Sequence, residues 1–236
     1  MAKIAGKLGR VIDECGFALQ IALDYTELWE AVSLAATLPK NPGLVLEAGT
    51  PLIKSQGLRD SLPALRGVVG SEGVIVADTK TADASDVEGG AVARWGGDAF
   101  TVLASSHDAT IRRAVEAAER LSLALYSDLV ISRDIVEDAR RSVELGVPIV
   151  LFHLGLDIQR AVGATASSRA EVVRRLSRSL DALLAVAGGI KPGEAGELAS
   201  SGASIIIIGG AVTKSASPKS AVIEALAGLR RAGFKC

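Results

Sequence analysis

Asp78, Lys80 and Asp83 stand within six positions in "VADTKTADAS" (76–85), directly after an apolar run. An ammonium between two carboxylates suits electrostatic or acid–base catalysis, because it can hold negative charge that develops on a substrate. Asp24, Glu47 and His153 close other apolar runs in the same way. Glu47 and Asp78 offer hard oxygen ligands for a divalent cation such as Mg²⁺; the alternative is balance by Lys80 and Lys54 with no metal, and both readings stand. His153 is one of two histidines and is a candidate for proton transfer, since imidazole titrates near neutral pH. The other, His107 in "SSHDAT", reads as a helix start, because a triad is recognised by geometry and not by adjacency. Gly188-Gly189 in "AGGIKP" and Gly209-Gly210 in "IGGAVT" let the backbone approach an anion closely, which suits a phosphate.

The elements that must position these residues are short apolar runs alternating with amphipathic segments. The runs are 17–23, 43–47, 73–78, 98–104, 122–128, 148–153, 182–188 and 204–210, eight in all. Between them, segments such as 27–38, 84–97, 109–121, 132–145 and 168–180 carry apolar residues at spacings of three and four. Helices are expected to close before Gly96, Gly146 and Gly202. Eight strand–helix units with no linker between them predict one domain over 1–236, a single (β/α)8 TIM barrel preceded by a short N-terminal helix at roughly 2–14. The runner-up is an open doubly wound sheet, which uses the same unit. In a barrel the C-terminal strand ends form the active face. Asp24, Glu47, Asp78, His153 and both glycine pairs therefore converge on one rim, with Asp83 at the start of the next helix.

Composition agrees with that architecture. Hydrophobic residues make up 49% and aromatics 3%, so the core is built from Ala, Val, Leu and Ile. With 26 basic against 27 acidic residues, no global field draws nucleic acid or an anionic membrane, so an anionic ligand must be held locally. No stretch approaches the roughly 18 apolar residues of a membrane span, and the N-terminus lacks a signal-peptide core. These features predict a soluble, cytoplasmic protein. Cys15 and Cys236 lie near opposite ends, show no metal spacing and suit a reducing compartment; a terminal disulfide is open but unsupported by the sequence.

Six segments together carry a family resemblance: "ALD" (22–24), "EAGTPLIKSQG" (47–57), "VADTKTADA" (76–84), "HLGLDIQ" (153–159), "AGGIKP" (187–192) and "GGAVT" (209–213). They resemble the 3-hexulose-6-phosphate synthases of the orotidine 5′-monophosphate decarboxylase superfamily, over about residues 17 to 230. The D-x-K-x-x-D pattern is specific to the superfamily and not to one reaction. Glu47 departs from the Lys of orotidine-phosphate decarboxylases. The strand-8 glycine is followed by Arg in both the orotidine-phosphate and the 3-keto-L-gulonate-6-phosphate decarboxylases, whereas this chain reads Gly209-Gly210-Ala211, and Leu156 stands where the gulonate enzymes carry a further Arg. Leu154 replaces the Thr usual after the strand-6 His of the synthases, and His107 stands in a segment that is often acidic in them.

The resemblance implies an aldehyde-lyase that joins D-ribulose 5-phosphate and formaldehyde into D-arabino-3-hexulose 6-phosphate, or cleaves it, through a 1,2-enediolate. Glu47 and Asp78 would ligate Mg²⁺, and Lys80 would stabilise the enediolate. His153 would transfer protons, Asp24 would bind substrate hydroxyls, and the glycine pairs would hold the phosphate. Asp83 would reach across a homodimer interface into the neighbouring active site. The rival readings are decarboxylation of a sugar-acid phosphate and a non-catalytic phosphate-binding barrel. A pentose-phosphate epimerase is disfavoured because two histidines are too few for its metal site.

Overall fold

A computed structural model describes residues 4–163 and 166–236. In chain order the elements are α1 (Gly6–Cys15), β1 (Ala18–Leu23), α2 (Leu28–Thr37), β2 (Leu44–Ala48), α3 (Thr50–Gln56), α4 (Leu58–Val69), β3 (Val74–Thr81), α5 (Ser85–Arg94), β4 (Ala99–Leu103), α6 (Asp108–Leu121) and β5 (Ala124–Asp128). There follow α7 (Ile135–Glu144), β6 (Ile149–His153), α8 (Leu156–Val162), α9 (Ala166–Ser179), β7 (Leu183–Ala187), a 3₁₀ turn (Pro192–Glu194), α10 (Ala195–Ser200), β8 (Ile205–Ile208), α11 (Gly210–Thr213) and α12 (Pro218–Arg231). The strands pair in parallel in sequence order, and β8 returns to β1, which closes the barrel. The open-sheet alternative is excluded.

Each strand is buried on both faces, and alternation divides its side chains between two cores. Ala18, Ala22, Val45, Val74, Val76, Ala99, Ala124, Tyr126, Ile149 and Ile205 fill the barrel. Leu19, Ile21, Leu23, Leu46, Ile75, Phe100, Val150 and Ile206 face the helices. Inward positions nearer the C-terminal ends are polar: Gln20, Glu47, Asp78, Thr101 and Asp128 are all buried. The same period that builds the core therefore delivers the chemistry to its open end.

Helix α1 closes the opposite end. Leu8 is fully buried against the inner cluster, with Ile4, Val11 and Ile12 packed beside it. Lys7 Nζ lies 3.0 Å from Asp98 Oδ1, and Arg66 Nη2 lies 2.5 Å from Asp98 Oδ2. The helix begins at Gly6, where residues 2–14 were expected; residues 2 and 3 lie outside the described residues. Gly96, Gly146 and Gly202 take positive φ just beyond α5, α7 and α10, as helix closure requires.

The terminal disulfide that the sequence left possible but did not support is present. Cys15 and Cys236 form a disulfide with their Cα atoms 5.1 Å apart, which fastens the end of α1 to the C-terminal residue. The 221 residues between them hid the pairing, because only barrel closure returns the two ends of the chain to one face. No helix among the described residues is long and apolar enough to cross a membrane.

Candidate active site

The rim centres on Lys80. Between the pairs Ala77↔Phe100 and Thr81↔Val102, three residues of β3 oppose Thr101 alone on β4. Such a bulge re-aims side chains, and Lys80 takes a left-handed conformation at φ 46°. Its backbone N–H donates to Thr101 Oγ1 at 2.8 Å, and Thr79 Oγ1 donates to the Thr101 carbonyl at 2.8 Å. Simple alternation would also turn Asp78 and Lys80 the same way; the bulge is the device that does it here.

Asp78 accepts from Lys80 Nζ at 2.5 Å and from Thr50 Oγ1 at 2.7 Å on Oδ2, and from Thr101 Oγ1 at 2.9 Å on Oδ1. The Lys80 ammonium also lies 3.1 Å from Asp128 Oδ2. Burial by itself would lower the Lys80 pKa, but Asp78 and Asp128 outweigh it and hold the ammonium above its ordinary value.

Asp128 ends β5, is fully buried, and was not singled out in the sequence. Its Oδ2 also faces His153 Nδ1 at 3.2 Å, and its Oδ1 accepts from the Val130 N–H at 2.9 Å. Burial would raise its carboxyl, yet the hydrogen bond and charge of His153, with Lys80, hold it below the ordinary value. An ionised carboxylate only accepts, so His153 Nδ1 carries the proton and Nε2 is left for proton exchange. A signal was present, since Asp128 closes an apolar run just as Asp78 nearly does. Gln20 and Tyr126 were also missed, because polar residues inside a run carry no end-of-strand mark.

Glu47 is 7% exposed, and its one hydrogen bond among the described residues comes from Gln20 Nε2, at 2.5 Å on Oε2. Tyr126 in turn donates its hydroxyl to Gln20 Oε1 at 2.9 Å. Burial first, then Asp78 and Asp24, push the Glu47 carboxyl well above its ordinary value. Asp24 is exposed at the end of β1, yet partial desolvation by the surrounding protein, with Asp78, raises its carboxyl too. A side chain at Gly49 would clash with Asp24 Oδ1, so glycine makes room for the carboxylate. Lys54 is exposed and makes no ion pair with Glu47, so Lys54 does not balance the cluster.

The crowded carboxylates fit a hard cation. Among the described residues Glu47 receives a hydrogen bond on one oxygen only, and Asp24, Glu47 and Asp78 repel one another. Among the described residues no three His, Cys, Asp or Glu side chains form a metal cage. Glu47 and Asp78 would therefore hold a cation that takes its remaining ligands from water and substrate, as Mg²⁺ commonly does.

The remaining candidates fall at the same rim. Gly188 and Gly189 follow β7, Gly209 follows β8, and Gly210 opens α11. Gly188 has φ 107°, and a side chain there would strike the Leu154 carbonyl, so glycine is required on both counts. Asp83 is not the cap of α5: that position is Ala84, in a left-handed conformation, and Asp83 precedes it, exposed. His107 caps α6 by accepting from the Ala109 N–H at 3.1 Å, as its helix-start reading expected.

Residues 18–225 match the model of the orotidine 5′-phosphate decarboxylase / HUMPS family. The chain belongs to this family. Among curated members, it is 30% identical over 214 residues to a 3-hexulose-6-phosphate synthase of Staphylococcus aureus, covering 89% of this chain and 98% of the relative. It is 32% identical over 213 residues to the bifunctional enzyme Fae/Hps of Methanococcoides burtonii, covering 90% of this chain but 53% of the relative; the chain spans about half the length of that protein. Among solved structures of the family, a 3-hexulose-6-phosphate synthase superposes with a TM-score of 0.80 at 30% identity, over 89% of this chain and 99% of that one. A 3-keto-L-gulonate-6-phosphate decarboxylase from Vibrio cholerae does so with a TM-score of 0.76 at 26% identity, over 91% and 97%.

Proposed function

We propose that this barrel joins D-ribulose 5-phosphate and formaldehyde into D-arabino-3-hexulose 6-phosphate, and cleaves the product in reverse. The observation that carries the reading is the single ammonium, Lys80, held between Asp78 and Asp128 with His153 on the same Asp128 oxygen. Such an arrangement can shuttle a proton and stabilise an enediolate at one place. The similarity to 3-hexulose-6-phosphate synthases over nearly the whole chain supports the same chemistry.

In this mechanism a C1 proton of ribulose 5-phosphate leaves to His153 Nε2, giving a 1,2-enediolate. The Lys80 ammonium faces the developing negative charge, which is worth most in a water-poor site. The C1 carbon then attacks formaldehyde, and the new alkoxide takes the proton back. Asp128 positions His153 and Lys80 together. Asp24 accepts from substrate hydroxyls, and backbone N–H groups at the two glycine pairs receive the phosphate. Mg²⁺, when bound by Glu47 and Asp78, supplies further positive charge for the substrate oxygens. Asp83, exposed and outside this cluster, serves the neighbouring site of a homodimer in this reading.

Formaldehyde-dependent consumption of ribulose 5-phosphate, with Mg²⁺ and with EDTA, tests the proposal. Absence of consumption, with carbon dioxide released from 3-keto-L-gulonate 6-phosphate, would instead establish the decarboxylase reading, which the Vibrio cholerae neighbour fits.

The metal assignment has a readout apart from activity. The pKa of Glu47 in the folded protein lies above the unfolded value, so its stabilising contribution is present below that value and lost as pH rises through the raised one. Above the ordinary carboxyl range the buried Glu47 therefore burdens the metal-free protein. Glu47→Gln is expected to melt roughly 2–8 °C higher than the wild type in EDTA at pH 7.5, the shift that about 1–2 kcal/mol produces in a chain of this size. The gap should close toward pH 4.5, the ordinary carboxyl value, and millimolar Mg²⁺ should raise the wild-type melting temperature but not the variant's. A wild-type melt indifferent to Mg²⁺ removes Glu47 and Asp78 as metal ligands.

A further inference from the structure

A phosphate monoester carries a charge of about −1.5 to −2 at neutral pH, yet the glycine pairs offer it only uncharged N–H groups. Lys80 and Lys214 are lysines whose charge reaches the Asp24 carboxylate at the rim. Lys80 is committed to Asp78 and Asp128, and His153 to Asp128. Lys214 is exposed and makes no ion pair among the described residues.

Its placement is fixed by the fold. Lys214 is the residue just after α11, and its N–H donates to the Gly210 carbonyl at 3.1 Å, which places its backbone one turn beyond Gly210. The lysine stem is long enough to span one helical turn of about 5.4 Å, so its ammonium can reach the Gly210 edge. The space there is open, since a Cβ at Gly210 would meet no heavy atom within 4 Å. Gly209 borders Asp24, where an added Cβ would stand 3.2 Å from Oδ2. Tyr25, the residue after Asp24, donates its hydroxyl to the Thr213 carbonyl at 3.0 Å and pins the end of α11 to the β1 rim. Lys214 is thus anchored at its backbone and free at its ammonium.

We propose that Lys214 is the counter-charge for the substrate phosphate, swinging from the Asp24 side of the rim over the Gly209-Gly210 edge, and that it sets the preference for phosphorylated over free sugars. This rests on the phosphate reading above. In the absence of ligand the ammonium offsets the crowded carboxylates; with ligand bound it closes on the dianion. Ala211, one residue past the glycine pair, is too short to compete for that space.

Calorimetric titration of inorganic phosphate and ribulose 5-phosphate into the wild type, Lys214→Met and Lys214→Arg tests it without reference to turnover. Lys214→Met is expected to bind both about 10–100-fold more weakly, the range for losing one charge-assisted hydrogen bond. Lys214→Arg should stay within severalfold of the wild type. In the formaldehyde assay Lys214→Met should raise KM for ribulose 5-phosphate by a similar factor with kcat largely kept, and should leave the weak binding of unphosphorylated ribulose unchanged. Equal phosphate affinity in wild type and Lys214→Met overturns the proposal and leaves the proposed reaction standing. A wild type that binds the sugar phosphate through Lys214 but consumes no formaldehyde overturns the reaction and leaves the Lys214 role standing. A wild type that binds neither phosphate compound overturns both.

Discussion

Asp78→Asn is expected to lower kcat/KM by roughly a thousandfold, the loss that follows removal of a preorganised electrostatic group. The substitution keeps the shape and leaves Thr50 and Thr101 able to hydrogen-bond. What disappears is the charge that gathers Lys80 at 2.5 Å and would share a cation with Glu47. Asp78 is also the largest of the influences that keep the buried Lys80 ammonium charged, so the alkaline limb of the pH–rate profile should move to lower pH. The fold should survive, because Asp24 and Glu47 are both relieved of a repelling neighbour. A variant that melts as the wild type does and retains a tenth of its activity would remove Asp78 from the mechanism.

Cys236→Ser, or reduction of the wild type, is expected to cost stability and leave chemistry alone. The bond closes a loop spanning 221 residues of sequence separation, and the chain-entropy model gives about 5 kcal/mol for a loop of that size. In a domain of more than 150 residues this corresponds to a melting temperature lower by roughly 10–20 °C. The bond lies at the end closed by α1, whereas Asp78, Lys80 and His153 lie at the opposite strand ends, so turnover at 25 °C should be unaffected. A ten-residue helix is marginal by itself, so its last turn, which holds Cys15, should become more open to hydrogen exchange once the bond is lost. Unchanged melting on reduction would show that Leu8 burial and the Lys7–Asp98 pair hold α1 unaided.

The sequence made the strands legible because a doubly covered parallel strand is a short, continuous apolar run. The expected run 73–78 became Val74–Thr81, and 204–210 became Ile205–Ile208. The extension of β3 matters most, since its bulge places Lys80, and nothing in "DTK" signals a left-handed lysine. The helices beyond the quoted segments, among them α4 and α12, completed the eight units without altering their order.

Asp24, Glu47, Asp78, His153 and the glycine pairs were legible for one reason. A charged residue or a glycine pair that ends an apolar run must sit where a strand meets solvent, and in a barrel all such ends share a face. That is local information, carried by the period and termination of each segment, and the family motifs lie on the same positions. Tertiary structure alone decided which of these groups touch. Asp128 became a hub of the site only because β5 lies beside β6 and one strand away from β3, which brings Lys80 to 3.1 Å and His153 to 3.2 Å. Cys15 met Cys236 for the same reason. Ring closure sets distances between residues far apart in sequence, and no segment of the chain records those distances by itself.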